Sequence, residues 1–206
     1  MIKALIVDDE PLARSIVKEY LQDYMQIEIL EECSDGFEGV KAIMRHQPDL
    51  IFLDIQMPKI NGFEMLELID QQPAVIFTTA FDEYAIRAFE AHAADYLLKP
   101  FSKERFDKAL QKWLAQQANN NGTAFLPALL ETAAQTPLQQ SRVVVKSNGK
   151  IKIIPVHDIQ YLEAADDYVK IHTASGTHLK NKTMQYFERL LDAGQFVRTH
   201  RSYMVN

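Results

Sequence analysis

Short, continuously apolar runs alternate with segments of helical period through the first 117 residues. The apolar runs predict strands at 3–7, 27–32, 50–53, 75–79 and 95–98, and the periodic segments predict helices at 11–24, 35–46, 63–71, 83–92 and 103–117. A run such as Leu50-Ile51-Phe52-Leu53 has no polar alternation, which suits a strand buried on both faces. Leu12, Ile16, Val17, Tyr20, Leu21 and Tyr24 recur at helical spacing and give the first helix one apolar stripe, with Pro11 suited to its first turn. The alternation predicts an α/β domain, a doubly wound five-stranded parallel sheet.

The period changes from Arg142 onward. Residues 142–146, 150–156, 159–162, 168–173, 177–180 and 196–205 read as strands of mixed alternation, with one helix from Thr183 to Leu191. Asn148-Gly149 tolerates the positive φ of a tight hairpin turn, and Ser175-Gly176 suits a second. This half is a mainly β module. Between the halves, residues 115–122 are polar and low in complexity, and they bury too little apolar surface to order themselves. The expected division is therefore residues 1–117, a linker at 118–139 with a short helical stretch at 125–134, and residues 140–206.

The candidate chemistry lies at the strand ends of the first half. Asp8 and Asp9 follow the first apolar run, Asp54 the third, Thr79 ends the fourth, and Lys99 follows the fifth. Neighbouring parallel strands would bring three acids, a hydroxyl and an ammonium into one crevice, where ligands of such sheets bind. Clustered carboxylate oxygens suit Mg²⁺. Asp54 is placed to attack phosphorus as a carboxylate nucleophile, with Lys99 as a compact cation and Thr79 as a hydroxyl donor. Taken singly, an Asp pair before a helix is an ordinary N-cap and a Lys-Pro pair an ordinary turn.

Ile6-Val7-Asp8-Asp9-Glu10, Phe52-Leu53-Asp54-Ile55-Gln56-Met57-Pro58, Thr79-Ala80 and Tyr96-Leu97-Leu98-Lys99-Pro100-Phe101 together resemble the motif set of a response-regulator receiver domain, of flavodoxin-like fold. The resemblance implies Asp54 as phosphoacceptor, Asp9 as a direct Mg²⁺ ligand, Asp8 as a ligand through water, and the Gln56 backbone carbonyl as a third ligand. It also implies phosphoryl binding by Thr79, Ala80 and Lys99, a switch pair of Thr79 and Tyr96, and a cis Lys99-Pro100 bond. A sensor histidine kinase would be the phosphoryl donor. A haloacid-dehalogenase-like phosphatase also uses a strand-end Asp, but it places a second acid two residues later. That position here is Gln56, which has no proton to give.

Charge separates the halves. Residues 1–115 hold 12 Lys and Arg against 21 Asp and Glu, whereas residues 138–206 hold 10 against 6, so the back half is the one expected to meet polyanions. No long apolar run and no basic-then-apolar leader is present, which predicts a cytoplasmic protein without membrane insertion. The single cysteine, Cys33, is expected to be inert core.

The segments at 151–164, Asp167-Tyr168-Val169-Lys170-Ile171 and 196–206 resemble the LytTR family of β-rich DNA-binding domains. Phe81-Asp82-Glu83-Tyr84-Ala85 and Ala94-Asp95-Tyr96-Leu97-Leu98 are similar to the receivers that accompany this output. Such domains present loops between strands to DNA direct-repeat half-sites. The loop at 165–168, with Asp167 and Tyr168, and the segment His200, Arg201 and Ser202 match the family's DNA-facing positions. Arg201 is suited to fork onto guanine, while Lys170, Lys180, Lys182 and Arg198 are suited to phosphates. A phosphorylation-dependent homodimer is expected through a surface at 84–112, where Ile86, Phe89, Tyr96 and Phe101 stand beside Arg87, Glu90, Lys103 and Arg105. The family pattern continues past Val205-Asn206, so the output domain is expected to be incomplete at its carboxyl end and to leave its final strand without a partner. A protein-interaction output in place of DNA binding is the alternative.

Overall fold

The computed structural model describes residues 1–81, 93–118, 141–147 and 150–206. The helix expected at 83–92, most of the linker with its helical stretch at 125–134, and the Asn148-Gly149 turn lie outside the described residues. The chain divides into two compact units, Met1–Ala134 and Gln135–Asn206, a boundary that falls inside the expected linker.

In the first unit the strands are β1 (Ile2–Val7), β2 (Ile27–Cys33), β3 (Leu50–Leu53), β4 (Ala74–Thr79) and β5 (Asp95–Leu98). They pair in parallel in the order β2-β1-β3-β4-β5. The strand order reverses between β1 and β3, the switch point beyond which a doubly wound sheet leaves a crevice. Every side chain of β3 is fully buried, which the missing polar alternation required. Helices α1 (Pro11–Leu21) and α4 (Lys103–Ala118) pack Val17, Leu21, Phe106, Leu110 and Trp113 against Ile6, Leu50, Phe52, Ile76 and Leu97. The remaining helices are α2 (Gly36–His46), capped by the Asp35 carboxylate, and α3 (Gly62–Leu66), which opens with an Asn61–Glu64 capping box.

Two helices end earlier than their periodicity predicts. α1 stops at Leu21, and Tyr24 instead reaches α4, its hydroxyl donating to Asp107 at 2.8 Å. α3 stops at Leu66 because the next amides, Leu68 and Ile69, bond three residues back, while the Gln72 side chain caps the Leu66 carbonyl at 3.1 Å.

The second unit has a hairpin, β6 (Arg142–Ser147) with β7 (Lys150–Pro155), and an antiparallel sheet. The sheet comprises β8 (Ile159–Ala165), β9 (Tyr168–Thr173), β10 (Gly176–Lys180), β11 (Val197–His200) and β12 (Tyr203–Val205), in the order β10-β9-β8-β12-β11. The hairpin contributes Val143, Val145 and Ile154, and helix α5 (Met184–Leu190) contributes Phe187 and Leu190, to a core against Leu162, Ile171 and Met204. The single strand expected at 196–205 is two strands and a turn. The expectation that the last strand lacks a partner is corrected too: β12 lies between β8 and β11 and pairs with both.

Candidate functional site

The loops after β1, β3, β4 and β5 meet at the switch point. The Asp54 amide donates to the Val7 carbonyl at 2.8 Å and the Lys99 amide to the Thr79 carbonyl at 2.7 Å, so each chain end is tied to the strand beside it. Gly62 sets the close approach of α3. A Cβ there would lie 2.5 Å from the Asp54 carbonyl oxygen and 3.2 Å from Ile55 Cα. The Lys99-Pro100 bond is cis.

Carboxylate oxygens of Asp8, Asp9 and Asp54 lie within 4.8 Å of one another. Lys99 Nζ reaches Asp8 at 2.8 Å, Glu10 at 3.1 Å and Asp54 at 3.2 Å. Burial pushes Asp8 up to about 6 despite its hydrogen bond to Lys99, and burial likewise raises Asp54 against the opposing lysine charge. Burial works against the Lys99 ammonium, but the Asp8 hydrogen bond and the Asp54 and Asp8 charges outweigh it and hold Lys99 at about 12. Among the described residues Lys99 is the cation paired with these acids, which leaves the crevice short of positive charge. Three clustered hard oxygens in such a field fit a small divalent cation.

Thr79 is fully buried, and its hydroxyl has no hydrogen-bond partner among the described residues. Ala80 beside it is exposed. The Gln56 amide donates to the Asp54 carboxylate at 3.3 Å. Tyr96 is buried, with its hydroxyl donating to the Phe81 carbonyl. Glu10 shares Lys99 with Asp8 and Asp54, and its place directly after Asp8 and Asp9 is the sequence signal for this.

The described members of the expected dimer surface are largely occupied within the unit. Tyr96 is buried, Phe101 packs on Tyr20 and Phe106, Arg105 pairs with Asp95, and Lys103 pairs with Asp23 and Asp107. Ile86, Arg87, Phe89 and Glu90 lie outside the described residues.

In the second unit, three connections gather at one end of the five-stranded sheet: the β8–β9 turn at Asp166-Asp167, the β10–α5 segment at 181–183, and the β11–β12 turn at Arg201-Ser202. The Ala164 amide donates to the Ser202 carbonyl at 2.8 Å and sets two of these turns side by side. Asp166 takes a positive φ of 51° at the tip of the first. Asp167, Tyr168, His200 and Arg201 are exposed there and Ser202 and Lys182 half-buried, with Lys182 Nζ 4.9 Å over the Tyr186 ring. Lys170 lies on the outer sheet face, 3.4 Å from Glu163.

Two residues expected at phosphates have partners within the unit. Lys180 is 7% exposed and donates to the Val144 carbonyl at 2.6 Å, joining β10 to the hairpin instead of facing solvent. Arg198 has its guanidinium committed to Glu188 at 2.8 Å and to the Arg201 carbonyl at 2.7 Å. Nothing in the local sequence marked Glu188 as its partner.

A parallel sheet with an acidic crevice at its switch point, a lysine reaching into it and a buried hydroxyl beside it define a receiver domain. Residues 4–111 match the family model of the response regulator receiver domain, and residues 149–206 match that of the LytTr DNA-binding domain. The whole chain is 39% identical over 212 residues to the transcriptional regulatory protein BtsR of Escherichia coli K12, covering 83% of that protein. It is 33% identical over 210 residues to the sensory transduction protein LytT of Bacillus anthracis, again covering 83%. The response regulatory domain of mrkE from Klebsiella pneumoniae superposes with a TM-score of 0.53 at 33% identity, over 57% of this chain and 99% of that domain. The chain belongs to the response regulators that join a receiver to a LytTR DNA-binding domain, and its two domains point to a two-component regulator of transcription. Among the described residues no helix is long and apolar enough to cross a membrane.

Proposed function

We propose that Asp54 accepts a phosphoryl group from a sensor histidine kinase and that its phosphorylation controls dimerisation and DNA binding by the LytTR domain. One Asp54 carboxylate oxygen forms the bond to phosphorus as the phosphorus–nitrogen bond of the donor phosphohistidine breaks. Asp9, Asp54 and the Gln56 carbonyl would hold Mg²⁺ directly and Asp8 through water. The ion supplies positive charge against clustered anions. Lys99 then pairs with a phosphoryl oxygen, the Thr79 hydroxyl and the Ala80 amide donate to the others, and Tyr96, the switch partner of Thr79, packs inward behind it. The observation that carries this reading is a buried Thr79 hydroxyl, without a partner among the described residues, at the strand end next to that of Asp54, whose carboxylate Lys99 already reaches.

The output end would read DNA through Asp167, Tyr168, Lys170, Lys182, His200, Arg201 and Ser202, at direct-repeat half-sites matched to a homodimer. The test has two parts. Phosphoramidate with Mg²⁺ should add one phosphoryl group to the wild-type chain, seen by mass spectrometry, and none to Asp54→Asn or in EDTA. Beryllofluoride should tighten binding to a selected duplex in fluorescence anisotropy, with a clear salt dependence. Phosphorylation of Asp54→Asn to the wild-type level would refute the acceptor assignment.

A further inference from the structure

The β11–β12 turn is held by contacts that reach across from α5. Arg198 sits on β11 at a register irregularity: it opposes Met204, the next aligned pair is His200 with Tyr203, and Thr199 is left between them. Its guanidinium spreads over three acceptors. Nη1 donates to Glu188 Oε2 at 2.8 Å, Nη2 to the Arg201 carbonyl at 2.7 Å, and Nε to the His200 carbonyl at 3.3 Å. Beneath this fork a cleft lined by Phe187, Glu188, Leu191, Phe196 and Met204 separates α5 from the strands, and the Arg198–Glu188 pair crosses it.

We infer that Arg198 is a positioning residue for DNA readout: with Glu188 as its anchor on α5, it holds the backbone of His200 and Arg201 so that the Arg201 side chain meets a base edge. This rests on the assignment of that turn to DNA. A planar fork with its donors in fixed directions serves this role, because two carbonyls and a carboxylate must be met at once, which a lysine ammonium on a flexible stem cannot do with the same geometry. The role also reverses a sign. Glu188 is an acid near a surface that meets phosphates, so on charge alone its removal would tighten binding. As an anchor, its removal loosens the turn and weakens specific binding.

The test uses the full chain with Mg²⁺ and beryllofluoride, against duplexes that the wild type selects from a random library and against a shuffled duplex of equal composition. Arg201→Ala, Glu188→Gln, Arg198→Ala and Arg198→Lys are compared by anisotropy across a salt series. The expected result is that Glu188→Gln and both Arg198 variants lose roughly tenfold in affinity for the selected duplex, the scale of one charge-assisted contact. Their salt slopes stay at the wild-type value, and amide exchange quickens at 200–203 but not at Leu162 or Met204. The positioning role alone is overturned if Arg201→Ala loses selectivity while Glu188→Gln binds equally or more tightly. It is overturned too if Arg198→Ala lowers the salt slope by about one with rescue by Lys, the signature of a phosphate contact. Retained selectivity in Arg201→Ala, or a wild type that selects no sequence, overturns the assignment of the turn to DNA itself and the positioning role with it.

Discussion

Replacing Thr79 with Val should stabilise the receiver while weakening its response. The residue is fully buried at the end of β4 and its hydroxyl has no partner among the described residues, so none of them offsets the desolvation of that oxygen. Leaving a buried hydroxyl unsatisfied costs about 1–3 kcal/mol. Valine keeps the β-branched shape that suits a strand and fills the oxygen's space with a methyl. A methyl in that position adds up to about 0.8 kcal/mol of apolar burial, against a packing misfit of under about 1.5 kcal/mol. At the middle of these ranges the balance favours the variant by about 1.5 kcal/mol, which raises the unfolding midpoint by several degrees in a domain of this size. The chain has a single tryptophan, and Trp113 is buried in the receiver core on α4, so its fluorescence reports the melting of that unit. The second measurement repeats the melt with Mg²⁺ and beryllofluoride. Binding should raise the wild-type midpoint by mass action and raise the variant's by less, because the hydroxyl contact has been removed. A midpoint in Thr79→Val equal to or below wild type would refute the argument, since it would mean that the hydroxyl is satisfied in the unliganded protein.

Three further outcomes follow from the same geometry. Gly62→Ala forces a Cβ to 2.5 Å from the Asp54 carbonyl oxygen, so it should destabilise the receiver by about 1–3 kcal/mol and slow phosphoryl uptake; chemical denaturation followed through Trp113 and timed phosphoramidate labelling check both. Lys180→Met keeps the apolar stem but leaves the Val144 carbonyl without its 2.6 Å donor; it should cost about 1–3 kcal/mol by circular dichroism melts and leave the salt slope of DNA binding unchanged, whereas a slope lowered by about one would return Lys180 to the phosphates. Burial would raise the Asp35 carboxyl, but Lys59 and the Glu38 and Phe37 amides hold it below its usual value. A depressed folded pKa contributes stability that is complete above the unfolded value near ~3.9 and is lost as pH falls through the folded one. The acid unfolding curve of Lys59→Gln should therefore move to higher pH, and an unmoved curve would count against the pair.

The receiver was legible because its signals are local. A four-residue apolar run with no polar alternation, set between helical segments, suits a strand buried on both faces, so β3 and the Asp54 that follows it are readable residue by residue, and helices on either side of such strands leave a doubly wound sheet as the economical packing. The acids, Thr79 and Lys99 were legible because they end those runs. Helix ends were less so: the stripe through Tyr24 is genuine, yet Tyr24 serves α4 from outside α1, and periodicity does not distinguish the two.

The sequence by itself determined two modules, the strand-end chemistry of the first and the strand-rich character of the second. Tertiary structure decided which face each polar side chain of the second takes. Thr177-His178-Leu179-Lys180 carries polar groups on both faces, and on composition Leu179 would point inward and Lys180 outward. The pairing of Lys180 with buried Val169 reverses this, leaving Leu179 53% exposed and Lys180 7% exposed. Likewise the two-strand reading of 197–205, with β12 inside the sheet and Arg198 turned to Glu188, depends on partners far along the chain. The physical reason is register: a strand's two faces exchange with a one-residue slip, and where neither face is plainly apolar only the neighbouring strands choose between them.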